Sequence, residues 1–191
     1  MSHRIKARRA AAASAPPIER DEAVVSSFLS DAAHVPGGFA AGVTFPRDEA
    51  EVAALVVDAT RVLAVGAQSS LTGGATPRGD VVVSTRALST LHEPSAGYIR
   101  VGAGVPLNVL QRTLATAGLY YPPVPTFDGA FVGGTIATNA AGAATFKHGS
   151  TRRWVAAVTL VLANGDVIDV VRGETCAGAA GLFEIELTSG D

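Results

Sequence analysis

The sequence predicts an α+β or mixed α/β domain, and three observations lead to that prediction. Short β-branched, apolar runs alternate with segments whose apolar residues recur at helical spacing. Glycine and proline clusters separate these segments. Near the C-terminus, two apolar runs flank Asn164-Gly165, a pair that favours a β-hairpin because both central turn positions need positive φ. Early alternation followed by a hairpin is typical of a domain that mixes helices and strands.

Each predicted element rests on a local pattern. Residues 1–20 are basic and alanine-rich and close with two prolines, so we predict a flexible arm. Helices are predicted at residues 22–29, from Pro46 to about residue 59, and from Pro106 to about residue 117, where Gly118 ends the pattern. Strands are predicted at residues 43–45, 61–65, 81–83, 98–101, 155–162 and 167–171, with a weaker candidate at 182–187.

Composition and charge exclude several classes of protein. The net charge of −2, without an aromatic and basic stripe, argues against binding to nucleic acid or to an anionic membrane. No run approaches the roughly 20 apolar residues that cross a bilayer, and the basic N-terminus lacks the apolar stretch of a secretory signal. Cys176 is the single cysteine, which rules out an intrachain disulfide and disfavours a zinc cluster. We therefore expect a cytoplasmic protein.

Residues 65–74 form the segment most suggestive of chemistry, reading Val-Gly-Ala-Gln-Ser-Ser-Leu-Thr-Gly-Gly. A bound diphosphate needs several converging donors and a close approach of the backbone, and both requirements favour small residues. An ordinary glycine-rich turn between two strands is the alternative that loop composition alone leaves open.

Two other phosphate-binding motifs do not fit this loop. A Walker A loop requires Lys-Ser or Lys-Thr after its glycines, whereas Ala75-Thr76-Pro77 follows here. A Rossmann fingerprint requires the spacing Gly-x-Gly-x-x-Gly at the start of a helix, and this loop lacks that spacing. The sequence thus indicates neither a P-loop nucleotidase nor a nicotinamide-binding Rossmann domain.

A second small-residue segment lies at 132–142 and reads Val-Gly-Gly-Thr-Ile-Ala-Thr-Asn-Ala-Ala-Gly, after the proline-rich stretch 122–127. A run with so little side-chain bulk lets the backbone approach a flat or charged group. Tight packing of a helix against a neighbour is the alternative. Two such segments in one small chain favour a ligand over either structural explanation.

Together the two segments resemble the FAD-binding domain of the vanillyl-alcohol oxidase and p-cresol methylhydroxylase type of flavoprotein, above all its glycolate oxidase and D-lactate dehydrogenase branch. The family's first loop typically reads Arg-Gly-Gly-Gly-Thr-Ser-Leu-Thr-Gly-Gly, and its second segment Ile-Gly-Gly-x-Ile-Ala-Thr-Asn-Ala-Gly-Gly. Residues 101–105 and 162–166 agree with it as well. The resemblance covers about residues 43–171.

The resemblance implies an α+β, two-lobed FAD-binding domain over residues 21–191, with a first lobe at about 40–95 and a second at about 96–191. It implies that backbone amides of residues 66–71 hold the pyrophosphate and that the second segment lines the ribityl chain and the flavin or adenine. The implied cofactor-binding residues are Gly66, Ala67, Gln68, Ser69, Ser70, Leu71, Thr72, Thr126, Gly133, Gly134, Ala137, Thr138 and Asn139.

Histidines are the residues that tether the flavin in some members of the family. The position in the first loop that carries such a histidine is Ser69 here, so the resemblance implies noncovalent FAD. His34, His92 and His148 are predicted to be loop or surface residues, and no metal-ligand spacing links them. Trp154 is predicted to lie in the core. No catalytic residue can be assigned from the sequence.

The resemblance also implies parts that the sequence does not contain. A cap domain that holds the substrate and a later glycine-rich segment are absent, so we expect an N-terminal part of a longer protein, incomplete at its C-terminal end. The leading hypothesis is an FAD-dependent oxidoreductase of a 2-hydroxy acid or related alcohol. The alternatives are a non-catalytic FAD-binding module that needs a partner cap, and a small interaction domain without flavin.

Overall fold

The structure is a computed structural model that describes residues 3–123 and 125–189. Val124 of the predicted proline-rich stretch, the first two residues of the predicted arm and the last two residues of the predicted second lobe lie outside the described residues. The chain divides into two units by its internal contacts. One is assembled from residues 1–15, 48–60 and 155–191, and the other from residues 16–47 and 61–154.

The helices and strands are short. The helices are α1 (Glu22–Val25), α2 (Glu49–Asp58), α3 (Leu107–Thr116), α4 (Val132–Ala137) and α5 (Thr145–His148). The strands are β1 (Arg4–Lys6), β2 (Arg8–Arg9), β3 (Phe39–Thr44), β4 (Val62–Val65), β5 (Arg78–Ser84), β6 (Ala157–Val161), β7 (Asp166–Val171) and β8 (Glu184–Glu186). Turns of 3₁₀-helix occupy Ser26–Phe28, Thr85–Ala87 and Thr151–Trp154.

A three-stranded parallel sheet, in the order β3-β5-β4, organises the unit formed by residues 16–47 and 61–154. Val43, Val65 and Val82 come one from each strand, are fully buried and pack with Phe28 in one cluster. β-branched residues suit such a pleated interior. Because β4 and β5 run parallel, the chain must return to the other end of the sheet between them, and residues 66–77 make that return without a helix.

The same unit contains a second apolar cluster around α3. Leu107, Leu110 and Leu114 line one face of this helix at the spacing that the sequence predicted, and each is buried. Gly118 follows with a φ of +69°, the left-handed conformation that ends helices and favours glycine. The predicted helix and its stop are confirmed.

In the other unit, β6 and β7 pair as the predicted hairpin, and β2 pairs antiparallel with β7. The turn differs from the expected two-residue type, because only Gly165 of the Asn-Gly pair has a positive φ. The Leu162 amide donates to the Asp166 carbonyl and the Gly165 amide donates to the Leu162 carbonyl, so residues 163–165 form a three-residue connection. This geometry needs only one left-handed residue, at its last position.

Residues 4–9 also depart from the sequence prediction of a flexible arm. They form β1, which pairs in parallel with β8, and β2. Arg8 adds two hydrogen bonds to the Glu49 carboxylate, at 2.6 and 2.8 Å, and one to Asp169 at 3.1 Å. The strands that pair with β1 and β2 lie more than 150 residues further along the chain. Local sequence patterns cannot predict pairing over that separation.

Two smaller predictions were wrong. Residues 98–101 form isolated bridges instead of a strand, because Tyr98 pairs back with Ser95 across a tight turn. Helix α2 begins at Glu49, not at Pro46, since the Asp48 carboxylate accepts from the Glu51 amide and caps the helix. The acidic first turn of this helix is as predicted.

The hydrogen bonds of Asp166, at the start of β7, give a testable prediction about the stability of this fold. Thr188 donates to the Asp166 carboxylate through both its hydroxyl and its amide, and these bonds lower the pKa of that carboxyl. A lowered folded-state pKa stabilises the fold above the ordinary carboxyl pKa of about 4, and the stabilisation is lost as the pH falls through the folded value. We expect Asp166→Asn to lower the melting temperature at pH 7 and to have a smaller effect at pH 3.

Melting curves from pH 3 to 7 would check this expectation. Glu174→Gln is the matched control, because Glu174 is exposed in the same unit and its carboxylate has no partner among the described residues. A destabilisation by Asp166→Asn that stayed constant over this pH range would contradict the assignment.

Candidate functional site

The first predicted loop leaves the carboxyl end of β4 directly after the fully buried Val65. In the part of the chain that the structure describes, the backbone N–H groups of residues 67–71 have no hydrogen-bond acceptor. Backbone N–H groups without a protein partner are uncommon unless solvent or a ligand satisfies them. Five in succession are therefore available to a ligand, and successive backbone N–H groups are a recurring means of binding anions.

The predicted residues of this loop differ in exposure. Gly66, Ala67, Gln68 and Ser70 are half-buried, whereas Ser69, Leu71 and Thr72 are exposed, and the Leu71 side chain is 79% exposed. The hydroxyls of Ser70 and Thr72 lie 2.9 Å apart, and the Thr72 amide donates to the Ser70 hydroxyl at 3.2 Å. Two hydroxyls thus stand together beside the unpaired N–H groups.

Gln68 adopts the left-handed conformation, with a φ of +54°. For an L-residue with a β-carbon this conformation costs roughly 1 kcal/mol. A change of hand between neighbouring residues turns successive N–H groups toward one side, which is how a chain forms an anion-binding nest. The Gln68 side chain is engaged elsewhere, since its amide nitrogen donates to the carbonyls of Ser27 and Ser30 at 2.9 and 2.8 Å.

The second predicted segment contains α4, whose first N–H groups pair with residues 103–105. Val132 donates to the Val105 carbonyl and Gly133 to the Ala103 carbonyl, at 3.0 and 2.8 Å. These two donors of the helix start are therefore occupied by protein. Within the described chain, the Gly134 N–H is the next donor and has no acceptor.

The two adjacent glycines of α4 have different reasons to be glycine. A β-carbon on Gly133 would lie 2.7 Å from the Ala103 β-carbon, so packing of the protein excludes a side chain there. A β-carbon on Gly134 would have no atom within 4 Å, and Gly134 is exposed. Packing does not explain this glycine, and a cofactor lying against the helix would.

The other residues predicted for this wall of the site are either exposed or hydrogen-bonded to nearby backbone groups. Thr126 and Ala137 are exposed, and the Thr138 hydroxyl donates to the Gly134 carbonyl at 2.9 Å. Asn139 has a φ of +48°, and its side-chain oxygen accepts from the Arg152 amide at 2.9 Å. Asn139 therefore shapes the turn after α4, and its carbonyl oxygen is engaged by protein.

The two segments meet through Gly66 and Phe131. A β-carbon on Gly66 would lie 3.7 and 3.8 Å from the β- and δ-carbons of Phe131, which is ordinary contact. The start of the first loop thus lies beside the residue that precedes α4. The structure brings the predicted segments together at this point, within one unit.

Sequence reasoning missed Asp31, Ala103 and Phe131. Asp31 is 3% exposed, and its carboxylate accepts from the Ala33 amide at 3.0 Å and from the Ala75 amide at 3.2 Å. Ala103 packs against Gly133 of α4, and Phe131 lies beside Gly66 at the start of the first loop. A buried acid has no local sequence signature, whereas Phe131 at the start of the recognised segment could have been included.

Residues 66–74 and 131–146 contain no charged side chain. The electrostatics of the site therefore come from the dipoles of peptide groups and polar side chains. In this unit, burial raises the pKa of Tyr121, and a hydrogen bond to Thr151 partly opposes the change. No side chain of the loops would repel an anion.

Other predicted features of the chain are less informative about the site. His92 and His34 are both exposed, as predicted. The half-buried His148 ring makes edge contacts with Tyr120 and Trp154, and Trp154 is 43% exposed, so the core placement predicted for it was wrong. The described residues contain no cluster suited to a metal ion, and none of their helices has the length and apolarity to cross a membrane.

Comparison with known proteins identifies nearly the same range of residues as the resemblance seen in the sequence. A family model described as an FAD binding domain matches residues 40–170. The chain is 34% identical to a D-lactate dehydrogenase of Archaeoglobus fulgidus over 154 residues, which are 78% of this chain and 34% of that protein. It is 32% identical to a D-2-hydroxyglutarate dehydrogenase of Xanthomonas citri over 136 residues, 67% of this chain and 29% of that protein.

Solved structures with the same fold include 6-hydroxy-D-nicotine oxidase from Arthrobacter nicotinovorans, with a TM-score of 0.73 and 23% identity. A chitooligosaccharide oxidase follows with a TM-score of 0.71 and 20% identity. The matches cover 85% and 83% of this chain but only 37% and 36% of those chains. The present chain therefore spans about a third of the length of the proteins it resembles.

Alanine at the two glycines of α4 tests how the segment is packed. We expect Gly133→Ala to lower the melting temperature, because the new methyl group would overlap Ala103. Gly134→Ala should leave the melting temperature unchanged or raise it, by up to roughly 1 kcal/mol of unfolding free energy, because alanine favours helix and meets no neighbour there. Thermal denaturation of both variants without added ligand would check this, and equal destabilisation would contradict it.

Proposed function

Since this chain belongs to the FAD binding domain family, we propose that it binds FAD noncovalently, with the pyrophosphate on the N–H groups of residues 67–71. The unpaired state of these five consecutive donors is the observation that carries the proposal. Hydrogen bonds to a charged group contribute about 1.5–3 kcal/mol each. A few of them, with the hydroxyls of Ser70 and Thr72, hold a diphosphate without an arginine.

The second segment supplies the opposite wall in this proposal. Gly134 offers an N–H group without a protein acceptor and open space where a side chain would stand. Ala137 and Thr138 are exposed in this segment, and Thr126, which is also exposed, belongs to the proline-rich stretch before it. We assign this wall to the ribityl chain and to the flavin or adenine, while Gly133 and Asn139 support it through their contacts with Ala103 and Arg152.

Noncovalent attachment follows from the side chains of the first loop. Ser69 stands where a tethering histidine would be needed, and residues 66–74 contain no histidine or cysteine. The cofactor is then held by hydrogen bonds and packing alone, and denaturation should release it intact. A cytoplasmic location likewise remains a prediction of the sequence.

For the whole protein we propose oxidation of a 2-hydroxy acid or related alcohol. The relatives named D-lactate dehydrogenase and D-2-hydroxyglutarate dehydrogenase act on such acids, as their names state. FAD supplies a hydride acceptor when bound. The described residues contribute binding and orientation, and substrate recognition falls to parts beyond the third of the relatives' length that this chain spans.

A non-catalytic FAD-binding module is the alternative function. The observation that favours it is that the chain spans only about a third of the length of the dehydrogenases it resembles. Anaerobic addition of D-lactate or glycolate to the flavin-loaded protein distinguishes the two. Bleaching of the flavin absorbance supports an oxidoreductase, whereas a stable yellow protein under both substrates supports the module.

Reconstitution with FAD tests the binding proposal itself. We expect the protein to be yellow, or to become so with FAD, and to release unmodified FAD on denaturation. Ser70→Leu should reduce the flavin content to less than roughly a tenth, because it removes the hydroxyl that contacts Thr72 and puts a bulky apolar side chain beside the unpaired N–H groups. Gly66→Val should do the same, because its added methyl groups would crowd Phe131 and the loop.

Ser89→Leu is the matched control, since Ser89 is an exposed loop serine elsewhere in the same unit. It should retain the wild-type ratio of flavin to protein. If Ser70→Leu also retained that ratio, the pyrophosphate would have to lie elsewhere, and a wild-type protein that cannot take up FAD would overturn the proposed function.

A further inference from the structure

Both ends of the first loop form hydrogen bonds with residues outside the loop. In each case the partner belongs to the same short segment, residues 27–33. At one end, the Gln68 side-chain amide donates to the carbonyls of Ser27 and Ser30. The Gln68 carbonyl also accepts from the Ala32 amide at 2.9 Å. Three hydrogen bonds therefore stabilise a residue whose backbone would otherwise avoid its left-handed conformation.

At the other end, Asp31 makes the second attachment. Its carboxylate accepts from the Ala33 amide, which keeps the acid in a tight local turn, and from the Ala75 amide beyond the loop. Asp31 is almost completely buried, so these bonds are shielded from water. Residues 69–74 thus span the interval between two fixed points, Gln68 and Ala75.

The segment that receives both attachments is itself anchored. Phe28 is 1% exposed and packs in the cluster under the parallel sheet with Val43, Val65 and Val82. The Arg86 guanidinium lies 4.8 Å from the Phe28 ring centroid and 5.1 Å from that of Phe45. The loop is therefore tied to the core and not merely to another loop.

We infer that Gln68 and Asp31 are positioning residues that hold the first loop in its cofactor-binding form before any cofactor arrives. The inference rests on the proposed FAD site, because it assigns a purpose to the loop's shape. If a loop adopts its binding conformation for only a fraction of the time, the apparent affinity for the ligand falls in proportion to that fraction. Fixing both ends raises that fraction and leaves the N–H groups between them unpaired and aligned.

Methionine at position 68 tests the inference, because it keeps the length of the side chain and removes its donors. We expect Gln68→Met to raise the dissociation constant for FAD roughly tenfold or more, as a loop competent a tenth of the time would. Titration of the apoprotein with FAD by fluorescence measures this change. Asp31→Asn should weaken binding less, since the amide keeps one acceptor oxygen for two N–H groups.

Proteolysis of the apoprotein gives a readout that does not involve FAD. Leu71 is highly exposed at the loop's tip, so chymotrypsin should cut after it faster once the loop loses an attachment. Gln111→Met is the matched control. It also removes a pair of glutamine side-chain hydrogen bonds, those with Tyr121, in the same unit.

Gln111→Met should lower the melting temperature without raising the cleavage rate at Leu71 or the dissociation constant for FAD. Gln68→Met with wild-type values of both quantities would overturn the inference. Should Gln68→Met fail to fold, Gln68→Gly serves instead, because glycine removes the two side-chain hydrogen bonds and the backbone strain together and should give the same two changes. A wild-type protein that binds no FAD would overturn the proposed function, whereas faster cleavage in Gln68→Met alone would still support the attachment.

Discussion

The parallel pairing of β4 with β5 is the constraint on which the site depends. A chain that leaves the carboxyl end of one strand must cross the whole sheet to enter a parallel neighbour. A helix usually makes this crossing and then satisfies its own N–H groups. Here residues 66–77 make it as an extended glycine-rich loop, so the donors of residues 67–71 remain available. The small side chains, the left-handed Gln68 and the anchoring by Asp31 follow from holding such a loop in one shape.

Local patterns in the sequence were sufficient to predict α3 with its glycine stop, the hairpin of β6 and β7, and the three strands of the parallel sheet. They could not predict β1 and β2, because the partners of these strands lie near the other end of the chain. The site shows the same division. Both small-residue segments were recognised, but the sequence alone could not distinguish Gly133, which packing requires, from Gly134, which it does not. Asp31 escaped because its importance depends on where Ala75 lies in space.

The character of the site also limits how it responds to its surroundings. Its donors are peptide dipoles and hydroxyls, with no charged side chain in either segment. Fixed dipoles in a half-buried loop are screened by salt less than exposed ion pairs are. They also keep their hydrogen-bonding capacity across the physiological pH range, because neither group titrates there. We therefore expect affinity in the proposed site to depend on the geometry of the loop, whose two ends are attached through hydrogen bonds of Gln68 and Asp31.

The pairing of β1 with β8 joins Arg4 to Glu184, across almost the whole chain. During synthesis on a ribosome, β8 emerges 180 residues after its partner β1, so this two-stranded sheet cannot form until residues 184–186 have left the ribosome. All residues of the unit formed by residues 16–47 and 61–154 emerge before β8, and folding units generally form in order of synthesis. The two segments proposed to bind FAD lie in that unit. Loading of the flavin onto a nascent chain is therefore compatible with the topology, and β1 pairs with β8 only after these segments have been made.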